Sequence, residues 1–137
     1  MTENVLKKIS RLIKPGSSSK EAANRGERMA AEFLSKAGFK ILEKNFRCKY
    51  GEIDIICLRD GIFCFVEVKS RTSFSYGLPE EFVDFRKRKK LTLTALKYIK
   101  DRRIETSPMR FDVVSIDLSS GKVKLIEGAF EAAFQNF

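Results

Sequence analysis

The 137-residue sequence predicts an α/β domain, and three features predict it. Two runs rich in Ile, Val, Phe and Cys, "GEIDIICLR" and "GIFCFVEVKSR", meet at an Asp-Gly dipeptide, the pattern of a β-hairpin closed by a two-residue turn. Stretches with helical apolar spacing lie on either side of them, near residues 18–37 and 80–103. A further strand-like run, "RFDVVSIDL", follows the second helical stretch. Helices before and after three strands pack on the sheet that those strands form.

Residues 1–17 make a basic lead-in that ends in "KPGSSS", a Pro-Gly-Ser breaker expected to be a flexible boundary, so the domain is placed at 18–137. Ser18 and Glu21 have capping-box spacing and start the first helix, which Gly38 stops. At roughly 100° per residue, Ala23, Gly26, Met29, Ala30, Phe33, Leu34 and Ala37 share one arc. Glu27 falls just beyond that arc, beside Leu34, where it is either an ordinary boundary glutamate or a group reaching over whatever the helix covers. "FKILEKNFRCKY" reads as the first strand and the two hairpin runs as the next two; "FSYGLPE" reads as a loop. Leu91, Ala95, Tyr98 and Ile99 define the inner face of a second long helix, with "RKRKK" at 86–90 near its start. After "RFDVVSIDL", "SSGK" turns into the short strand "VKLIEG"; the tail "AFEAAFQNF" suits more than one conformation.

Composition narrows the chemistry. Twenty-seven Lys and Arg against 18 Asp and Glu give a net charge of +9, which suits a polyanionic partner such as nucleic acid. The three cysteines form no C-x-x-C pair and fit a reducing, cytoplasmic setting, with Cys57 and Cys64 as small core residues. No run approaches the 18 or so apolar residues of a membrane span. There is no histidine, which removes His-based nucleases, His-ligated zinc and Ser-His-Asp triads together. Acid–base chemistry would fall to carboxylates, lysine, tyrosine or metal-bound water.

The hairpin carries the sharpest signal. With Asp60 and Gly61 as the turn, Arg59 pairs with Ile62, Asp54 falls opposite Glu67, and Glu52 falls opposite Lys69. All four charged side chains then share one face. Two carboxylates directly opposed destabilise a sheet unless something neutralises them. A hard divalent cation, Mg²⁺ or Mn²⁺, does so with one or two carboxylates plus water and phosphate oxygens. Lys69 on the same face would orient a metal-bound water or offset charge on a phosphate. The competing reading is a solvated hairpin face with a Glu52–Lys69 ion pair.

These residues, with "NRGERMAAEFLSKAGFKILEKNFR" before them and "FSYGLPEEFVDFRKRKKLTLTALKYI" and "RFDVV" after them, resemble the YraN family of bacterial proteins over about residues 25–118. These are nucleases by prediction, distantly similar to archaeal Holliday junction resolvases in the PD-(D/E)xK superfamily. The resemblance implies a restriction-endonuclease-like αβββαβ core, a mixed central sheet flanked by helices. It implies a Mg²⁺- or Mn²⁺-dependent endonuclease for DNA, structured or branched DNA in particular. The alternative is a non-catalytic nucleic-acid-binding module that keeps the nuclease fold. By motif, the Asp of "GEID" is Asp54, and the acid and lysine of "VEVK" are Glu67 and Lys69, with the Val68 backbone carbonyl as a further metal ligand. The helix-borne acid corresponds to Glu27 in "RGER", as ligand and catalytic residue. Arg71, Arg86, Lys87, Arg88, Lys89, Lys90 and Arg110 are the candidates for contacts to flanking phosphates. Resolvase-like proteins also imply a homodimer, with the second helix or the tail residues Phe130, Phe134 and Phe137 as its candidate surface.

Overall fold

In a computed structural model of the chain, residues 15–72 and 84–132 are described, with side chains from Lys20 onward. Helix α1 (Pro15–Lys36) leads into strands β1 (Lys40–Cys48), β2 (Gly51–Arg59) and β3 (Ile62–Arg71). Helix α2 (Phe85–Arg102) then crosses to β4 (Met109–Asp117), and β5 (Lys122–Phe130) closes the sheet. The five strands lie in the order β1-β2-β3-β4-β5, antiparallel except for the parallel β3–β4 pair. This is the expected αβββαβ order with a mixed sheet, a restriction-endonuclease-like core extended by β5.

Strand alternation explains the layers. Cys57, Cys64, Val66 and Val114 pack with Ala30, Ala31 and Leu34 of α1. Their neighbours in sequence, Ile56, Phe65 and Val113, pack with Leu91, Ala95, Tyr98 and Ile99 of α2. Each helix thus covers one face of strands apolar on both faces, the arrangement that parallel pairing favours. Tyr98 meets Phe46 and Phe65 edge-on, at ring separations of 5.3 and 6.0 Å. Cys57 and Cys64 are register partners, free and fully buried, as small core residues are. Among the described residues, no helix is long and apolar enough to cross a membrane.

The turn at Asp60–Gly61 has φ of 52° and 77°, the two positive values that a type I′ hairpin requires, and Arg59 pairs with Ile62. The register follows from that turn as far as Ile55–Val66. Beyond it the ladder stops, and Asp54 Oδ2 accepts the Val68 N–H at 2.8 Å instead. The expected Glu52–Lys69 pair therefore does not form. Glu52 faces Arg47 on β1 in the register and bonds it at 2.9 Å.

Four other expectations shift. The backbone of α1 starts at Pro15, so residue 18 lies inside the helix rather than at its start; the first fourteen residues of the lead-in lie outside the described residues. Proline suits a first helical position because the N–H it lacks would be unsatisfied there. On the inner face of α1, Ala31 is buried while Ala23 is exposed, which places Glu27 between the buried Leu34 and Ala31. Helix α2 begins at Phe85, capped by Asp84, whose Oδ1 accepts the Lys87 N–H at 2.9 Å. Phe130 is not a free aromatic: its ring stacks on Phe111 at 4.9 Å. The "FSYGLPE" loop, Phe134 and Phe137 lie outside the described residues.

Candidate active site at the open end of the β2–β3 hairpin

Where β2 and β3 part, Asp54, Glu67, Glu52, Lys87, Lys90 and Leu91 line a cavity of about 170 Å³. Glu67 is 8% exposed and, with Asp112, one of two buried charged groups among the described residues. A buried carboxylate needs a cation or hydrogen bonds. Lys87 of α2 places its Nζ 2.8 Å from Glu67 Oε1, and Lys69 Nζ stands 3.8 Å from the same oxygen.

Asp54 is the strained member. Burial first, then the charge of Glu67, push its carboxyl up from 3.8 to about 7; the Val68 N–H opposes this, and the charges of Glu27 and Glu52 add to it. The two acids, one step beyond the last paired residues of the hairpin, thus repel each other in a partly buried setting. Burial and the neighbouring Lys87 ammonium lower Lys69 from 10.5 to about 8, although Glu67 and Asp54 hold it up. Burial alone would lower Lys87 too, but its hydrogen bond to Glu67 and the negative charges of Glu67 and Asp54 leave it above the ordinary lysine value.

Glu27 reaches this end of the sheet because α1 comes unusually close to β3. A Cβ at Gly26 would stand 2.7 Å from both Cβ and Oγ of Ser70, so only glycine fits there without a shift. Asn45, between the register pairs Lys44–Ile55 and Phe46–Ile53 and hence across from Asp54, has a left-handed φ of 53° in mid-strand. Its amide takes the orientation that donates to both Glu27 oxygens, at 3.3 Å each. Sequence reasoning missed Asn45 as a site residue. Its signal is an amide side chain within a strand, where Asn is depleted.

Among the described residues, no three His, Cys, Asp or Glu side chains gather closely enough to hold an ion by themselves. Asp54 and Glu67 form a pair, and Glu27 acts on Asp54 through its charge. The pair still suits Mg²⁺ or Mn²⁺: the donors are all hard oxygens, Mg²⁺ needs only one or two carboxylates, and a lysine ammonium already stands where positive charge is wanted.

The basic candidates divide. Arg86 and Lys90 are exposed at the start of α2, while Lys87, Arg88 and Lys89 are partly buried. Lys87 is turned into the site, and the Arg88 guanidinium lies 5.9 Å from the Phe85 ring centroid. Arg71, also partly buried, ends β3. Arg110 is committed elsewhere: it grips the fully buried Asp112 at 2.7 and 2.9 Å, and Asp112 also accepts the Gly128 N–H at 2.9 Å. That geometry is a bidentate structural pair and not a free phosphate contact.

The family model described as "Uncharacterised protein family UPF0102" matches residues 26–116, from Gly26 in α1 to Ile116 in β4. A UPF0102 protein of Caldanaerobacter subterraneus is 49% identical over 100 residues, covering 73% of this chain and 82% of its own length. One from Syntrophus aciditrophicus is 44% identical, over 80% and 87% of the two chains, and one from Clostridioides difficile is 44% identical, over 82% and 98%. The matched span holds Glu27, Asp54, Glu67 and Lys69, and the chain belongs to the UPF0102 family, the YraN family that its motifs resemble.

Proposed function

We propose that the protein is a metal-dependent endonuclease that hydrolyses phosphodiester bonds in DNA, with structured or branched DNA as its substrate class. The observation that carries this is the Asp54–Glu67 pair: two carboxylates drawn together in a partly buried cavity, at the cost of a proton affinity raised to about 7 on Asp54. A scaffold gains nothing from that repulsion, whereas a cation-binding centre requires it.

When bound, Mg²⁺ or Mn²⁺ would polarise the scissile phosphate and make a water acidic enough to attack at neutral pH. Asp54 and Glu67 would hold the ion, with the Val68 carbonyl as a third oxygen. Glu27, steadied by Asn45, would orient a water at the cavity edge. Lys69 would face the negative charge that develops on the phosphate. Arg86, Arg88, Lys89 and Lys90 of α2, with Arg71 at the end of β3, would hold flanking phosphates and set affinity rather than sequence choice. Cutting both strands of a branched substrate calls for two such centres, and hence a homodimer.

The test incubates the protein with junction, flap, linear and single-stranded DNA and each metal, beside Lys69→Ala and Asp54→Ala. Metal-dependent cleavage that both variants lose supports the proposal; cleavage that survives them refutes the assigned centre. The Lys87–Glu67 ion pair favours a second reading, a nucleic-acid-binding module whose acids are permanently neutralised. That reading expects DNA binding without cleavage and no metal-induced NMR shifts at Asp54 or Glu67.

A further inference from the structure

We infer that Lys87 is a tethered cation of the site: its ammonium competes with a divalent ion for Glu67 and is drawn off by a nucleic-acid phosphate, so that metal and nucleic acid bind cooperatively. The inference rests on the metal reading of Asp54 and Glu67 and adds a coupling between two ligands.

Its basis is geometric. Lys87 sits in the first turn of α2, where its own N–H is fixed by Asp84 at 2.9 Å. The backbone is thus anchored while the side chain spans the cavity to Glu67 Oε1 at 2.8 Å. Its side chain is 38% exposed, against 10% for that of Glu67, so the lysine has an outward path that its partner lacks. Lys69 approaches the same Glu67 oxygen at 3.8 Å, so two cations crowd one carboxylate.

Charge arithmetic then sets the direction. With both acids ionised, Asp54 and Glu67 balance Lys69 and Lys87, so the four innermost charges cancel without a metal. An entering divalent ion brings two surplus positive charges into a partly buried space. The surplus is relieved if Lys87 withdraws and a phosphate arrives to receive it. Arg86 and Lys90, exposed on the same end of α2, extend the surface toward which it would swing. Lys69 cannot substitute for it, because it lies on β3 two residues beyond Glu67 and its side chain is mostly buried.

The experiment titrates Mn²⁺ calorimetrically into wild type and Lys87→Met, with and without a short phosphorothioate DNA duplex. The expected result is that the variant alone binds Mn²⁺ about ten-fold tighter than wild type, the scale of one charge-assisted hydrogen bond removed from competition. The gain in Mn²⁺ affinity on adding duplex should be smaller in the variant than in wild type. Equal or weaker Mn²⁺ binding by the variant overturns the inference while leaving the metal centre intact. No Mn²⁺ binding by either protein at millimolar concentration removes the metal centre itself, and the inference with it. Should Lys87→Met fail to fold, wild-type crystals soaked in Mn²⁺ decide: Lys87 Nζ moved beyond ion-pair distance from Glu67 supports the competition, and Nζ still on Glu67 beside a bound ion overturns it.

Discussion

Replacing Asp54 by Asn separates the stability of the fold from the chemistry proposed for it. Asparagine keeps the shape and the acceptor for the Val68 N–H but removes the charge that burial and Glu67 disfavour. A carboxyl whose pKa is higher folded than unfolded stabilises the native state through its bound proton. That contribution is complete below the unfolded value, 3.8, and is lost as pH rises through the folded value, about 7. At about 1.4 kcal/mol per pKa unit the full shift is worth roughly 4 kcal/mol. Coupling to Glu67 and partial access to water reduce this to an expected 2–4 kcal/mol, roughly. Urea denaturation of both proteins without metal should show a difference that grows between pH 4 and pH 7.5, with Asp54→Asn the more stable at the upper end. Mg²⁺ should narrow that gap by stabilising only the wild type. A difference that stays flat with pH, or a variant less stable at pH 7.5, refutes the claim that these two acids repel each other in the folded protein.

Other substitutions probe the supports of the site. Gly26→Ala should destabilise by about 1–3 kcal/mol in urea, since the new methyl meets Ser70 at 2.7 Å, and Ser70→Gly in the same chain should restore part of the loss. Arg110→Ala strands the fully buried Asp112 and should cost about 3–5 kcal/mol; a loss below 1 kcal/mol by denaturant titration would show that Asp112 is satisfied without it. Arg86→Ala and Lys90→Ala should leave the melting temperature within about 2 °C of wild type. Each should flatten the salt dependence of DNA binding by about one unit of log–log slope, and an unchanged slope would remove these residues from the interface.

What the sequence made legible was local. The Asp-Gly turn depends on two neighbouring residues, and it carried the register to Ile55–Val66 because strand pairing propagates from a turn one residue at a time. It failed where a side chain took over a backbone donor: once Asp54 accepts the Val68 N–H, the ladder has lost its next bond. The inner face of α1 was read from apolar spacing, but the rotation that buries Ala31 and exposes Ala23 depends on what the helix packs against. Lys87 looked like one charge in a basic run; its position on Glu67 is a tertiary contact across twenty residues that no periodicity encodes. Arg110 and Asp112 could have been paired, since residues two apart on a strand share a face. Arg110 read instead as a phosphate contact, and Asp112, of a type rarely buried, was not singled out as its partner.

The two-residue turn at Asp60–Gly61 also bears on the order in which the chain folds. Hairpins closed this tightly zip on a scale of roughly microseconds, whereas the parallel β3–β4 pairing must wait for α2 to cross the sheet. Mutual repulsion at the Asp54–Glu67 end should therefore be felt early, before α2 delivers Lys87 and before α1 brings Glu27 alongside. That end would then be the last part of the hairpin to settle, and its closure should be faster at pH 5 than at pH 8, whereas the later docking of α2, which brings the Lys87 ammonium to Glu67, should not be.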